Sequence, residues 1–256
     1  MNDSIKACFL IAYRDLRRFW KFKHWLAAQL AMNLADVLIF ALVFNNIVNR
    51  NFIPDYIKFM STGILAIATF ASAFSIGREV GGEMRREVHY YLLSLPTSRG
   101  ALAAGRFLGG ALRGLIYQLA FIVLNLLIVG VPSPAQSLAI AYTSFLFSLS
   151  MSALAIAVVS STRDFNLQST FRALIYYTLF FFSNVFYPKE IISLRFPGPL
   201  AVIVAHAPIS RAAEVYRWGF GYYSSLDHLA LPEVTLWTIL LLSAATLLYT
   251  RNLSKQ

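Results

Sequence analysis

Charged residues in this chain are gathered into a few stretches, with long apolar runs between them. No charged side chain lies between Lys58 and Arg78, Arg113 and Arg163, Arg172 and Lys189, or Glu233 and Arg251. A helix rises about 1.5 Å per residue, so roughly 18 to 20 apolar residues cross a hydrocarbon core about 30 Å thick. Lipid offers the backbone no hydrogen bonds, which makes each such run a helix. The run from Gly114 to Thr162 would extend about 70 Å as one helix, too far for a single crossing. Gly130-Val131-Pro132-Ser133-Pro134 at its centre breaks it into two. Six spans are predicted, over residues 25–48, 56–76, 107–130, 135–160, 166–187 and 234–249.

Composition agrees with an all-α integral membrane protein. The 256 residues are 58% hydrophobic and 13% charged, about half the charged share of a soluble domain. A single transmembrane domain is expected over 1–256. It divides into an interfacial segment (1–24), five spans (25–187), an external region (188–233) and the sixth span with its tail (234–256). The opening Met-Asn-Asp-Ser lacks a signal-peptide layout, so the first span is expected to be retained. One cysteine, Cys8, excludes an intrachain disulfide. The scattered His24, His89, His206 and His228 make no zinc spacing.

Basic residues orient the spans. With both termini in the cytoplasm, 16 of the 22 Lys and Arg residues fall inside. Arg50, Lys58, Lys189, Arg195, Arg211 and Arg217 remain outside, an asymmetry in the direction of the positive-inside rule for a cell-membrane protein. The net charge of +10 then reflects topology and contact with anionic membrane lipids. The basic residues flank spans and form no groove with exposed aromatics, so no nucleic-acid partner is expected.

Three segments are not simple spans. Ile5, Phe9, Ala12, Tyr13, Leu16, Phe19 and Trp20 share one helical face, and Lys6, Arg14, Arg17, Arg18 and Lys21 the other. An N-terminal amphipathic interface helix and a plain basic flank both fit that pattern. In the connection 77–106, Gly81-Gly82 is expected to break the helix leaving span two. A short helix from about Glu83 to Ser94 follows, with Val88, Tyr91, Leu92 and Leu95 suited to docking. In 188–233, Leu200 to Ala205 is too short to span and suits a re-entrant hairpin. Pro208 to Arg217 then reads as a short amphipathic helix around Glu214.

Polar residues also enter the spans. Gln29, Asn33 and Asp36 line one face of the first, with Asp36 about 16 Å from Trp25 and near mid-membrane. Such a carboxylate costs about 2.5–3.5 kcal/mol to insert, so it either lines a path or ties helices together. Arg113 is expected to snorkel back to the head groups. Gly105, Gly109, Gly110 and Gly114 allow close packing on the third span. Ser144, Ser148 and Ser152 do the same on the fourth. Tyr176, Tyr177, Phe180, Phe181, Phe182 and Phe186 either pack or meet an apolar substrate.

These segments, in this order, resemble the permease subunit of ABC type-2 exporters. The resemblance rests on Arg78-Glu79, the glycines, Glu83, Tyr91-Leu92-Leu93-Ser94-Leu95-Pro96-Thr97-Ser98-Arg99 and Gly105-Arg106. A second match runs from Ser183 to Pro188, followed by Ala207-Pro208-Ile209-Ser210 and Arg217, with Asn184 where the family usually has Gly. The resemblance implies a separate ABC ATPase subunit that holds ATP and Mg, because this chain has no P-loop. It implies a second permease chain, in a homodimer, and no catalysis or cofactor in this chain. A coupling helix would present Glu79, Glu83, Arg85, Arg86, Glu87, Leu92, Pro96 and Arg99, with Arg163 and Asp164 as a second contact. Gln29, Asn33, Asp36, Ser144 and Ser148 would line the path, and Pro188, Pro208, Glu214 and Arg217 would build the external re-entrant region. The cargo expected is a small amphiphile. An ion-coupled carrier using Asp36 is the alternative.

Overall fold

A computed structural model of the chain describes residues 3–21, 23–45, 47–48 and 53–254, without the side chains of 25, 36, 37, 40, 41, 253 and 254. Among the described residues every regular element is a helix. In chain order these are α1 (Asp3–Lys21), α2 (Lys23–Phe44), α3 (Tyr56–Phe74), α4 (Ile76–Arg85), α5 (Val88–Ser94) and α6 (Arg99–Ile128). They continue with α7 (Pro134–Ser160), α8 (Phe165–Phe181), α9 (Lys189–Arg195), α10 (Gly198–Ala205), α11 (Pro208–Gly219) and α12 (Ala230–Ser254).

Local chemistry starts these helices. Asp55, Ser98 and Asp164 accept from the backbone N–H groups of Lys58, Ala101 and Leu167 at 3.1, 3.2 and 2.8 Å. Ser133 and Gln136 cap each other reciprocally, with Pro134 in the first turn of α7. Each cap stabilises its helix by about 1 kcal/mol. Among the described residues, four stretches are long and apolar enough to cross a membrane: Tyr56–Arg85, Arg99–Ile128, Pro134–Ser160 and Ala230–Asn252. In α2 the described apolar stretch is Leu26–Ala35. α8, at 17 residues, reaches about 25 Å.

α6 occupies the centre, touching α1, α3, α7 and α12. Its glycines permit this. A Cβ on Gly105 would lie 2.7 Å from the Cys8 carbonyl, and one on Gly109 would lie 3.0 Å from the Asp15 Cβ. The neighbouring Gly110 and Gly114 receive Ser152 and Ser148 of α7 in the same way. The small-residue stripes on α6 and α7 therefore seat α1 on one side and the two long helices against each other on the other.

Several expected boundaries move. Gly81-Gly82 does not break the helix: Ser75 keeps helical φ/ψ, and α4 runs through both glycines to Arg85. The reason is packing. A Cβ on Gly77 would meet the Ala155 carbonyl at 3.1 Å, and one on Gly81 would meet Gln168 Oε1 at 2.8 Å. The gain from that close fit outweighs the poor helix propensity of glycine. The break falls instead at Glu87, in left-handed conformation at φ 60°, so the short helix starts at Val88 and Glu83 belongs to α4. α6 begins about two turns before the expected third span, which puts Arg106 inside the helix together with Arg113. α8 stops at Phe181, short of Tyr187, and α12 extends past 234–249 at both ends.

The stretch 188–233 holds three helices. Every residue of α11 except Trp218 is buried, enclosed by α3, α7 and α12. The amphipathic surface helix expected from Pro208 to Arg217 is thus a core element. Its polar residues find partners inside the fold, Arg211 with Glu214 on the same helix and Arg217 with the carbonyls of Asn184 and Val185, which the apolar-polar alternation alone does not reveal.

Substituting Gly105→Val should push α1 off α6, since overpacking costs about 1–3 kcal/mol. Cys8, the only cysteine, reports on it: maleimide labelling should accelerate and the thermal midpoint fall. An unchanged labelling rate would contradict this packing.

Candidate functional site

Four arginines and three carboxylates meet where α1, α4 and the first half of α6 converge. Asp15 of α1, fully buried, accepts from Arg106 Nη1 at 2.9 and 3.0 Å and from Arg14 at 3.0 Å. Arg106 also pairs with Glu83, which accepts from Arg14 at 2.9 and 3.0 Å and from Arg18. Arg113 grips both oxygens of Glu79 at 2.8 Å, donates to the Asp15 carbonyl, and lies over the Phe19 ring at 5.1 Å. Tyr249 of α12 sits beside Arg106. Arg106 and Arg113 are each 1% exposed.

This corrects two expectations. Arg113 does not snorkel outward; it turns inward to a bidentate partner, which removes the need for water. Glu83 is no surface contact, since it is 4% exposed and shared by three arginines. Removing one member of such a buried pair leaves an uncompensated charge, at about 3–5 kcal/mol.

The residues beyond the hub divide by exposure. Arg85, Arg86 and Glu87 are exposed, as are Tyr91, Leu95, Pro96 and Arg99, whereas Leu92 is buried beneath α5. Arg163 and Asp164 are exposed on the turn between α7 and α8, where Asp164 caps α8. Gln168 links the two surfaces: it donates to the carbonyls of Val159 and Thr162 at 2.8 and 2.6 Å and accepts from Arg85. The Arg85 guanidinium also lies 4.9 Å above Phe165. The end of α4 and the start of α8 therefore form one surface.

At the opposite pole, Arg217 is fully buried. It donates to the carbonyls of Asn184 and Val185 at 2.9 and 2.8 Å and stacks 3.6 Å over Phe59. Arg211 pairs with Glu233, Glu214 and Asp227 at 2.6, 2.7 and 2.9 Å, and Lys189 reaches Glu214 at 3.3 Å. Pro188 and Pro208 stand at the starts of α9 and α11. The four sequence-predicted residues of this region are thus in one assembly.

The expected path residues are not. Gln29 donates to Asn33 at 3.4 Å, and Asn33 donates to the Tyr117 hydroxyl at 3.0 Å, tying α2 to α6. Ser148 donates to the Ala111 carbonyl at 2.7 Å, and Ser144 accepts from Tyr216 at 3.3 Å. Both serines are buried between helices. The Asp36 side chain lies outside the described residues, as do Arg50 and Lys255. Two cavities instead share a cleft between α2, α3 and α8. One, of about 230 Å³, is lined by Gln29, Ser75, Arg78, Ser169, Arg172 and Tyr176. The other, of about 360 Å³, is aromatic and lined by Phe44, Tyr56, Phe180, Phe186 and Tyr187. Stacked Phe70, Tyr176 and Phe180, with centroids 5.0 and 6.0 Å apart, run alongside them.

Sequence reading missed Asp15 and Gln168. Asp15 stood among Arg14, Arg17 and Arg18 as one more polar position. An acidic residue on the face opposite the exposed apolar side chains was the available signal. Nothing in the local sequence distinguishes Gln168 from a solvated amide.

A model of the ABC-2 type transporter family matches residues 6–220. Comparison with curated proteins returns no match.

His89 of α5 is 2% exposed and its Nδ1 has no hydrogen-bond partner. Burial, followed by the nearby Arg163 charge, lowers its pKa from the ordinary 6.5, against opposing pulls from Glu83 and Glu87. With the docked pKa below the undocked one, docking of α5 is strongest above pH 6.5 and weakens as pH falls. Hydrogen exchange of α5 should accelerate between about pH 7.5 and 5.5 beyond its intrinsic pH dependence. His89→Gln should flatten that response; an equal response in the variant would contradict it.

Proposed function

The chain belongs to the ABC-2 type transporter family, and from that premise we propose that it is the permease half of an ABC exporter. The family is a membrane transport subunit, and the apolar helices make this chain a membrane protein. In our reading α2, α3–α4, α6, α7, α8 and α12 are six spans, and both termini lie in the cytoplasm of a cell-membrane protein. A separate ATPase holds ATP and Mg and docks on α5 and on the turn at Arg163 and Asp164. A second copy of this chain faces the α2–α8 cleft and encloses the path, with lipid around the rest.

One observation supports the coupling reading above others. α5 presents Tyr91, 67% exposed, on a short helix joined by a single residue pair to α4, which the ion cluster fixes to α1 and α6. Force applied to α5 therefore passes into Tyr56–Arg85, a nearly unbroken rod. Closure of the partner's nucleotide-bound dimer would push α5, tilt the rod and change access to the cleft. The polar cavity below and aromatic cavity above suit a small amphiphile, apolar at one end and polar at the other. The ion-coupled alternative draws no support from the family.

The test is co-purification with the cognate ATPase. Tyr91→Asp alters an exposed side chain only, so the permease should keep its thermal midpoint and bind about tenfold less ATPase, a loss near 1.4 kcal/mol. Undiminished ATPase recovery would overturn the docking assignment.

A further inference from the structure

The basic side of α1 borders a feature that the coupling reading does not use. Between α1, α4 and the start of α5 lies a cavity of about 470 Å³, to which Arg18, Arg78, Arg85, Arg86 and Arg113 contribute against Glu79 and Glu83. A second, of about 460 Å³, adjoins it through Arg18, Glu83 and Val88 and adds Arg14, Arg17 and Lys21. Eight cations thus line the pair against two carboxylates. The two carboxylates are already occupied by Arg14, Arg18, Arg106 and Arg113. Among the described residues, the side chains of Arg17, Lys21 and Arg86 enter no ion pair. A cavity of this size with uncompensated cations attracts an anion, and guanidinium forks match phosphate oxygens.

The same helix says which phosphate. Phe9, Leu10, Tyr13 and Trp20 are 57–67% exposed along α1. Exposed Tyr and Trp beside basic residues mark the level of lipid head groups, with apolar side chains entering the acyl boundary. We propose that the paired cavities of α1 and α4 bind the phosphodiester head group of an anionic phospholipid, with Arg17, Lys21 and Arg86 as its principal ligands. The bound lipid would clamp α1 to α4 beside the ion cluster. This rests on the membrane reading of the chain given above, with α1 lying at the interface, but not on the ATPase.

The experiment uses purified permease in neutral detergent and follows the thermal midpoint. The probes are dihexanoyl phosphatidylglycerol, dihexanoyl phosphatidylcholine and inorganic phosphate. Phosphatidylglycerol alone should raise the midpoint. Arg17→Gln/Lys21→Gln/Arg86→Gln should keep the lipid-free midpoint yet bind about tenfold more weakly, reducing the shift. If that variant does not fold, Arg17→Gln alone should still weaken binding, and unaltered affinity would count against the site. No shift with phosphatidylglycerol, an equal shift with phosphatidylcholine, or an equal shift with inorganic phosphate would each overturn the proposal. No ATPase is present, so failure here leaves the permease reading standing. Failure of ATPase co-purification would leave this lipid response unchanged.

Discussion

A buried carboxylate on α1 holds this structure in register. Asp15 is enclosed by Arg106 and Arg14, and Arg106 carries the charge on to Glu83. None of these groups tolerates isolation in an apolar interior, because an unpaired buried charge costs several kcal/mol. Their helices must therefore arrive together. Glycines at 105 and 109 let α1 come close enough for Asp15 to reach Arg106. The chemistry of the pair and the smallness of the glycines form one constraint.

That constraint gives the bundle a stiff end. α3 and α4 make a near-continuous rod whose last turn carries Glu83, and Arg113 and Glu79 repeat the clasp one step deeper. At the other pole Arg217 fastens α11 to the ends of α3 and α8 through carbonyls and the Phe59 ring. Between these anchors α2 and α8 are the thinly packed elements, and the cleft with both cavities opens along them. Rigid ends with a loosely held cleft are the mechanical arrangement that an externally driven change of access needs.

The four membrane-length helices were legible in the sequence because apolar runs and charge gaps are local facts. Pro132 and Pro134 divided the long run correctly, and the glycine and serine stripes marked the packing of α6. What stayed hidden depended on partners distant in sequence. Gly81-Gly82 has the signature of a break, and only the closeness of Gln168 and α7 explains why the helix continues. Glu83 has the signature of a surface acid until Arg14, Arg18 and Arg106 surround it. Pro208 to Arg217 looks amphipathic, yet Arg211 and Arg217 find their partners inside the fold. Ser144 and Ser148, expected along the path, make hydrogen bonds to neighbouring helices that no local pattern announces.

The central claim is that Asp15 and Arg106 act as one unit in fixing α1 to the bundle. A double-mutant cycle on purified permease with Asp15→Asn and Arg106→Gln, read as unfolding free energy in denaturing detergent, addresses it directly. The account predicts that each single change costs about 3 kcal/mol and the pair little more than either, with a coupling energy of about 2–3 kcal/mol. Additivity within about 0.5 kcal/mol would contradict it.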